Sequence, residues 1–145
     1  MDAVLRRAAR LVVIDPDKNG LLFQHEDDRG RWWATPGGGL EGNETFEEAA
    51  AREATEELAL TGATFIPLWS RKAEFTFRGQ PIRQAERYFL VRLAKPDAAL
   101  GRTVGEAHRR EGIVAAPWWS LEEIESTSER VFPEDLCGLL RGLLS

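Results

Sequence analysis

The sequence contains little cysteine or histidine and no long apolar run. One cysteine, Cys137, in 145 residues excludes an internal disulfide and favours a reducing compartment. The two histidines, His25 and His108, have no neighbours typical of zinc binding or catalysis. No apolar segment approaches the roughly 20 residues of a membrane span, and residues 1–10 do not resemble a signal peptide. We therefore expect a cytoplasmic protein that does not enter a membrane.

Positive charge is also scarce. The chain has 19 Lys and Arg against 24 Asp and Glu, a formal net charge of -5. A stable complex with nucleic acid or with an acidic membrane needs a basic face, so neither is expected. A small nucleotide remains a plausible ligand, because a bound divalent metal reverses the local charge. Much of the acidity is concentrated between Glu41 and Glu57, where seven glutamates accompany one arginine.

The order of the predicted elements favours an α/β fold in which a mixed sheet packs between helices. No repeat or linker is visible, so a single domain over residues 1–145 is predicted, long enough to bury a core. Turn formers and hydrophobic patterning predict these elements: strands at 7–14, 21–25, 64–70, 73–77, 82–93 and 113–119, helical segments at 46–58, 120–124 and 133–144, and loops at 29–39 and 95–112.

The helix over residues 46–58 is the clearest prediction. Thr45 and Glu48 have the spacing of a capping box, in which each side chain accepts from the other's backbone N–H. Gly62 is the predicted stop. An apolar residue recurs every fourth position and provides one stripe for the core: Phe46, Ala50, Ala54 and Leu58.

Glu53, Glu56 and Glu57 would project from one face of this helix. Each close pair of like charges costs a few tenths of a kcal/mol when exposed. A hard divalent cation would relieve that repulsion, and Mg²⁺ prefers carboxylate oxygen, water and substrate phosphate. On these residues alone, a solvated glutamate-rich helix face is the alternative.

A glycine-rich segment, Pro36-Gly37-Gly38-Gly39, precedes the helix, with Glu44 between them. Glycine allows backbone groups to approach a ligand where a Cβ would clash. A glycine-rich loop alone is weak evidence, but its combination with a carboxylate helix in register strengthens the hypothesis of a metal-dependent phosphate site.

Loop and helix together resemble the Nudix box, whose pattern is Gly, five residues, Glu, seven residues, Arg-Glu, apolar, any, Glu-Glu, any, Gly, apolar. Ala59 replaces the last glycine of that pattern. A left-handed residue there costs Ala roughly 1 kcal/mol, so we expect Gly62 to end the helix one turn later. The matching residues are Gly38, Glu44, Arg52, Glu53, Ala54, Glu56, Glu57 and Leu60.

The resemblance implies a Nudix-like α/β/α sandwich and hydrolysis of a nucleoside diphosphate linked to another moiety, with Mg²⁺ as cofactor and Mn²⁺ as a substitute. It implies that Glu44 and Arg52 hold the metal ligands in place. The general base is left open between Glu53 and a glutamate of the loop before the last strand, Glu111 or Glu106. The implied metal ligands are Gly38, Glu53, Glu56 and Glu57.

The substrate is not specified by these motifs. A nucleoside triphosphate, a nucleotide sugar and a dinucleoside polyphosphate all agree with the box, and a homodimer is compatible with it. The alternatives are a non-catalytic Nudix-like nucleotide-binding or regulatory module, and the isomerase branch of the fold, which uses a catalytic cysteine. Phe75 and Phe77 are predicted to pack in the core. The candidate substrate contacts are Trp32, Trp33, Gly37 and Gly39.

Overall fold

The computed structural model of the protein describes residues 2–28, 30–95, 108–109 and 112–144. Its contacts divide the chain into two compact units, one formed by residues up to 12 with 37–91, the other by residues 13–36 with 92 onward. Strands and helices occur together, which confirms the α/β class. A single domain over residues 1–145 stays a prediction. Within the described residues, no helix is long and apolar enough to cross a membrane.

The first unit combines a sheet with one long helix. β6 pairs with β7 antiparallel, β7 neighbours β1, and β1 pairs antiparallel with β5. Its strands and helix are β1 (Val4–Ile14, whose last two residues belong to the second unit), β5 (Gly37–Gly39), α1 (Phe46–Leu58), β6 (Ile66–Phe77) and β7 (Gln80–Arg92, whose last residue belongs to the second unit).

Helix α1 forms where the sequence predicts it. Thr45 and Glu48 make the predicted capping box, with the Glu48 N–H donating to Thr45 Oγ1 and the Thr45 N–H to Glu48 Oε1. Three residues of the predicted stripe are buried, namely Ala50, Ala54 and Leu58. Small side chains at two of these positions allow the helix to approach its neighbours closely.

The second unit contains a four-stranded sheet in the order β10-β4-β3-β8 and a short ladder of β2 with β9. β4 runs parallel to β10 and antiparallel to β3, so the sheet is mixed. Its elements are β2 (Gly20–Leu21), β3 (Phe23–Asp27), β4 (Gly30–Ala34), β8 (Ile113–Ala115), β9 (Trp118–Trp119), α2 (Leu121–Ser126), β10 (Val131–Phe132) and α3 (Leu136–Leu144).

The predicted loop over residues 29–39 is wrong, because most of it forms strands β4 and β5. Glycine permits the extended backbone as readily as a turn, and three consecutive glycines pair with residues 8–10 of β1. The predicted strand over 113–119 is instead two strands, β8 and β9, which pair with different partners. Pro117 separates them and has no N–H to give to a ladder.

The predicted strands at 64–70 and 73–77 are one strand, β6, with a register irregularity between Pro67 and Ser70. The predicted burial of Phe75 and Phe77 is wrong, since they are 39% and 49% exposed. β6 comes first in its sheet order, and each of its residues is exposed or half-buried. Strand alternation identifies which side chains share a face, but not whether anything covers that face.

Helix α1 ends at Leu58, and Ala59 itself adopts the left-handed conformation, with φ 54° and ψ 30°. The expectation that the helix continues toward Gly62 is therefore wrong. The Ala59 N–H donates to the Thr55 carbonyl oxygen at 3.1 Å, and the Leu60 N–H donates to the Ala54 carbonyl oxygen at 3.0 Å. These bonds satisfy carbonyls that a helix end otherwise leaves unpaired, which offsets the strain of an L residue at positive φ.

Replacing Ala59 by Gly is expected to stabilise the protein by about 0.5–1 kcal/mol, measured as the free energy of unfolding in urea. The gain from relieved strain is about 1–2 kcal/mol, partly offset by the greater freedom of glycine in the unfolded chain. The matched control is Ala51→Gly in the exposed middle of α1, which should destabilise by about 0.5–1 kcal/mol. Equal destabilisation by both changes would contradict a strained Ala59.

Candidate active site

Two glycines of β5 lie closer to neighbouring groups than a side chain would allow without a shift of those groups. A Cβ on Gly37 would lie 2.1 Å from the carbonyl oxygen of Ala9, and Gly37 has φ 137°. A Cβ on Gly38 would lie 2.5 Å from Glu53 Oε1. The backbone of β5 therefore lies directly against β1 and against a carboxylate of α1.

Glu53 is only 6% exposed. Burial of a carboxylate is costly unless the charge is paired, and here Arg52 Nη1 donates to Glu53 Oε1 at 3.0 Å. The same Nη1 donates to Glu56 Oε2 at 3.2 Å. Arg52 Nη1 thus donates to two of the predicted metal ligands.

The rest of the Arg52 guanidinium holds the segment between β5 and α1. Its Nε donates to Glu44 Oε2 at 2.8 Å and its Nη2 to Glu44 Oε1 at 3.0 Å, a bidentate pair. Nη2 also donates to the Gly39 carbonyl at 2.9 Å. Glu44 Oε1 in turn accepts from the Glu41 N–H at 2.7 Å, so loop, glycine strand and helix are joined through one side chain.

These contacts shift both pKa values of the bidentate pair. The hydrogen bond from Arg52 lowers the pKa of Glu44, and the Glu41 N–H lowers it further. The hydrogen bond to Glu44 is the largest cause that raises the pKa of Arg52. Both groups therefore stay charged at neutral pH.

The predicted metal ligands differ in burial. Glu53 is buried, Glu57 is half-buried, and Glu56 has 57% of its side chain exposed. Within the described residues, no three His, Cys, Asp or Glu side chains are close enough together to enclose a metal ion. Mg²⁺ does not need such a cage, because it binds through one or two carboxylates together with waters and substrate phosphates. Carboxylate oxygens beside the Gly38 backbone suit that cation in donor type.

Two candidate bases, Glu106 and Glu111, lie outside the described residues.

The two tryptophans predicted to contact substrate, Trp32 and Trp33, lie in the second unit. Trp33 is 8% exposed, its indole N–H donates to Glu129, and its ring meets Trp119 edge-on at 4.7 Å. Trp32 is half-buried and stacks on His25 at 5.5 Å. Their contact with substrate stays a prediction.

Sequence reasoning missed a polar cluster on β7 and β1, in which Glu86 contacts Arg10 and Arg10 contacts Gly37. The available indication was the pattern Ile82, Gln84, Glu86, which places polar residues on a strand face with apolar neighbours. Nothing in the local sequence identifies Arg10 as the partner, because 76 positions separate it from Glu86.

Comparison with known proteins decides the family. The model of the NUDIX domain matches residues 4–136, almost the whole chain. The chain belongs to the NUDIX family. This Nudix protein is accordingly a hydrolase that acts on phosphoric anhydride bonds.

Solved structures confirm the Nudix fold. A MutT NUDIX hydrolase from Burkholderia pseudomallei superposes with a TM-score of 0.69 at 18% identity, covering 95% of this chain and 97% of its own. An Ap4A hydrolase of C. elegans gives 0.66 at 23%, covering 96% and 95%. The E. coli dihydroneopterin triphosphate pyrophosphohydrolase gives 0.64 at 20%, covering 85% and 86%.

Replacing Arg52 by Lys is expected to lower the free energy of unfolding by about 1–3 kcal/mol, because an ammonium cannot reproduce the bidentate fork and leaves buried acceptors unpaired. Urea denaturation at pH 7 measures the change. The control is Arg83→Lys, whose ion pair with Glu74 is exposed on both sides and should matter by less than about 1 kcal/mol. Similar effects of the two changes would refute a special role for the Arg52 fork.

The lowered pKa of Glu44 also predicts a pH dependence. A carboxyl whose folded-state pKa is depressed adds stability above its unfolded pKa and loses it as pH falls through the folded value. Glu44→Gln should therefore be less stable than the wild type at pH 7. The gap should narrow as pH falls below the ordinary Glu value of 4.5. Thermal unfolding of both proteins between pH 3 and 7 tests this, and a gap that stays constant with pH would contradict it.

Proposed function

We propose that this Nudix hydrolase cleaves a nucleoside diphosphate linked to another moiety, in a Mg²⁺-dependent reaction that Mn²⁺ also supports. The supporting observation is the buried Glu53 carboxylate, which contacts Gly38 on one side and Arg52 on the other. A Glu53 carboxylate oxygen close to the Gly38 backbone, with Glu56 and Glu57 on the same helix, suits the binding of a divalent metal together with a diphosphate.

The residues that would hold Mg²⁺ are Glu53, Glu56, Glu57 and the Gly38 backbone. The chemistry the ion supplies when bound is neutralisation of charge on the diphosphate oxygens and a more acidic attacking water. Positioning and electrostatics dominate phosphoryl chemistry, so the protein needs no nucleophile of its own.

Arg52 performs the positioning. Its bidentate pair with Glu44 occupies Nε and Nη2, which leaves Nη1 directed at Glu53 and Glu56. The two carboxylates are thus oriented before any ligand arrives, and their mutual repulsion is reduced by the shared cation. Residues that orient metal ligands in this way usually affect metal affinity and activity by 10–100-fold.

Three glutamates are candidates for the general base that deprotonates the attacking water. Glu53 is a candidate because its carboxylate lies at the centre of the proposed site. Glu111 and then Glu106 are the alternatives that the sequence offers. Loss of the acidic limb of the kcat/KM profile on substitution identifies a base, since that limb reports the essential base in the free enzyme.

The proposed substrate class is a nucleoside triphosphate, a nucleotide sugar or a dinucleoside polyphosphate. Two of the similar structures are named for a dinucleoside polyphosphate and for a pterin triphosphate, which supports a small polyphosphate ligand. The homodimer and the cytoplasmic location expected from the sequence stay predictions.

A panel of these three substrate classes with Mg²⁺ or Mn²⁺, scored for phosphate and pyrophosphate, is expected to show turnover of at least one class. Glu53→Gln should reduce that turnover at least about 100-fold, because loss of a metal ligand should lower activity at least as much as loss of a residue that orients it. The matched control is Glu47→Gln on the exposed first turn of α1, which should retain activity. A folded, Mn²⁺-binding protein inactive on every class would instead favour a nucleotide-binding module.

A further inference from the structure

Three polar side chains are buried on β7, at positions where strand alternation would place apolar residues. Gln84 is 4% exposed, Glu86 8% and Tyr88 3%, and they alternate with exposed neighbours along the strand. A buried carboxylate persists only when hydrogen bonds and opposite charge offset its lost hydration. The partners of Glu86 therefore indicate what it does.

Glu86 accepts from three side chains. Gln84 Nε2 donates to its Oε2 at 2.7 Å, and Tyr88 Oη donates to its Oε1 at 3.2 Å. Arg10 Nε approaches Oε2 at 3.4 Å, an ion pair in which the two side chains are 22% and 10% exposed. Burial, reinforced by the charge of Glu86, raises the pKa of Tyr88, so the phenol remains a donor at neutral pH.

This arrangement disfavours Glu86 as a proton acceptor. A general base needs an oxygen lone pair directed at water or substrate. Both oxygens of Glu86 already accept hydrogen bonds from side chains of the protein. The carboxylate is better placed to fix Arg10 than to exchange protons.

Arg10 in turn reaches the glycine strand. Its Nη1 lies 3.5 Å from the Gly37 carbonyl oxygen, and it is the register partner of Gly37 across the β1–β5 ladder. At the other end of β5, Arg52 Nη2 donates to the Gly39 carbonyl at 2.9 Å. Two guanidiniums thus bind the carbonyls on either side of Gly38. A strand of three glycines has no side chains to fix its position, so these contacts substitute for packing.

We propose that Arg10 and Glu86 are positioning residues for the metal site: Glu86 orients the Arg10 guanidinium, which holds the Gly37 carbonyl and thereby sets the Gly38 backbone against Glu53. This inference rests on the proposed function, in which Gly38 and Glu53 hold the cation. It adds a second support on β5 that is independent of the Arg52 fork.

The test compares Glu86→Gln and Arg10→Lys with wild type and with Glu74→Gln, a control whose carboxylate is 73% exposed on β6. Without metal, amide hydrogen exchange in the peptide over residues 37–40 should be several-fold faster in both test variants. Their Mn²⁺ dissociation constants should rise about tenfold, in the range of residues that orient metal ligands. The kcat should fall more than KM changes, and the limbs of the pH profile should stay at the wild-type pH values. Glu74→Gln should match wild type throughout.

The outcomes separate the two hypotheses. Wild-type exchange and Mn²⁺ affinity in both test variants, with Glu53→Gln inactive, would overturn the positioning role and leave the proposed function standing. Loss of the acidic limb in Glu86→Gln would also overturn it, since Glu86 would then be a base. A wild-type protein that neither binds Mn²⁺ nor turns over any substrate class would overturn the proposed function, and this inference with it. If Glu86→Gln does not fold, as judged by circular dichroism, Arg10→Lys carries the test.

Discussion

The Arg52 guanidinium is the interaction on which the proposed site depends. It binds Glu44 through two nitrogens and the Gly39 carbonyl, and gives its remaining nitrogen to Glu53 and Glu56. Without a cation at this position, a buried carboxylate and its neighbours on the same helix would repel one another in a poorly screened environment. The guanidinium therefore brings the carboxylates of Glu53 and Glu56 to one shared cation, and it fixes the loop that leads into the helix.

The glycine strand β5 meets this cluster under a tight steric constraint. Gly37 lies against the backbone of β1, where an added Cβ would clash with Ala9, and Gly38 lies against Glu53, whose carboxylate an added Cβ would displace. The same lack of side chains deprives the strand of packing. Instead, Arg10 from β1 and Arg52 from α1 donate hydrogen bonds to its carbonyl oxygens.

Two local features show how context overrides propensity. Ala59 adopts the left-handed backbone conformation expected of glycine at this position of the box, and the N–H groups of Ala59 and Leu60 donate to the carbonyls of Thr55 and Ala54. Phe75 is an apolar residue typical of a core strand, yet it is 39% exposed on β6, the first strand in its sheet order. In the first case hydrogen bonding offsets a cost of about 1–2 kcal/mol. In the second, the pattern of side chains along one strand contains no information about the neighbouring layer.

The sequence by itself determined helix α1, its capping box, the α/β class and the family, because these depend on residues within a few positions of one another and on a fixed spacing of charges. Tertiary structure decided which strand became an edge, that residues 113–119 divide between two ladders, and that Arg10 meets Glu86 across 76 positions. Such contacts depend on which distant segments the fold brings together. Helical periodicity and turn composition do not encode that choice, since each is set by local backbone geometry alone.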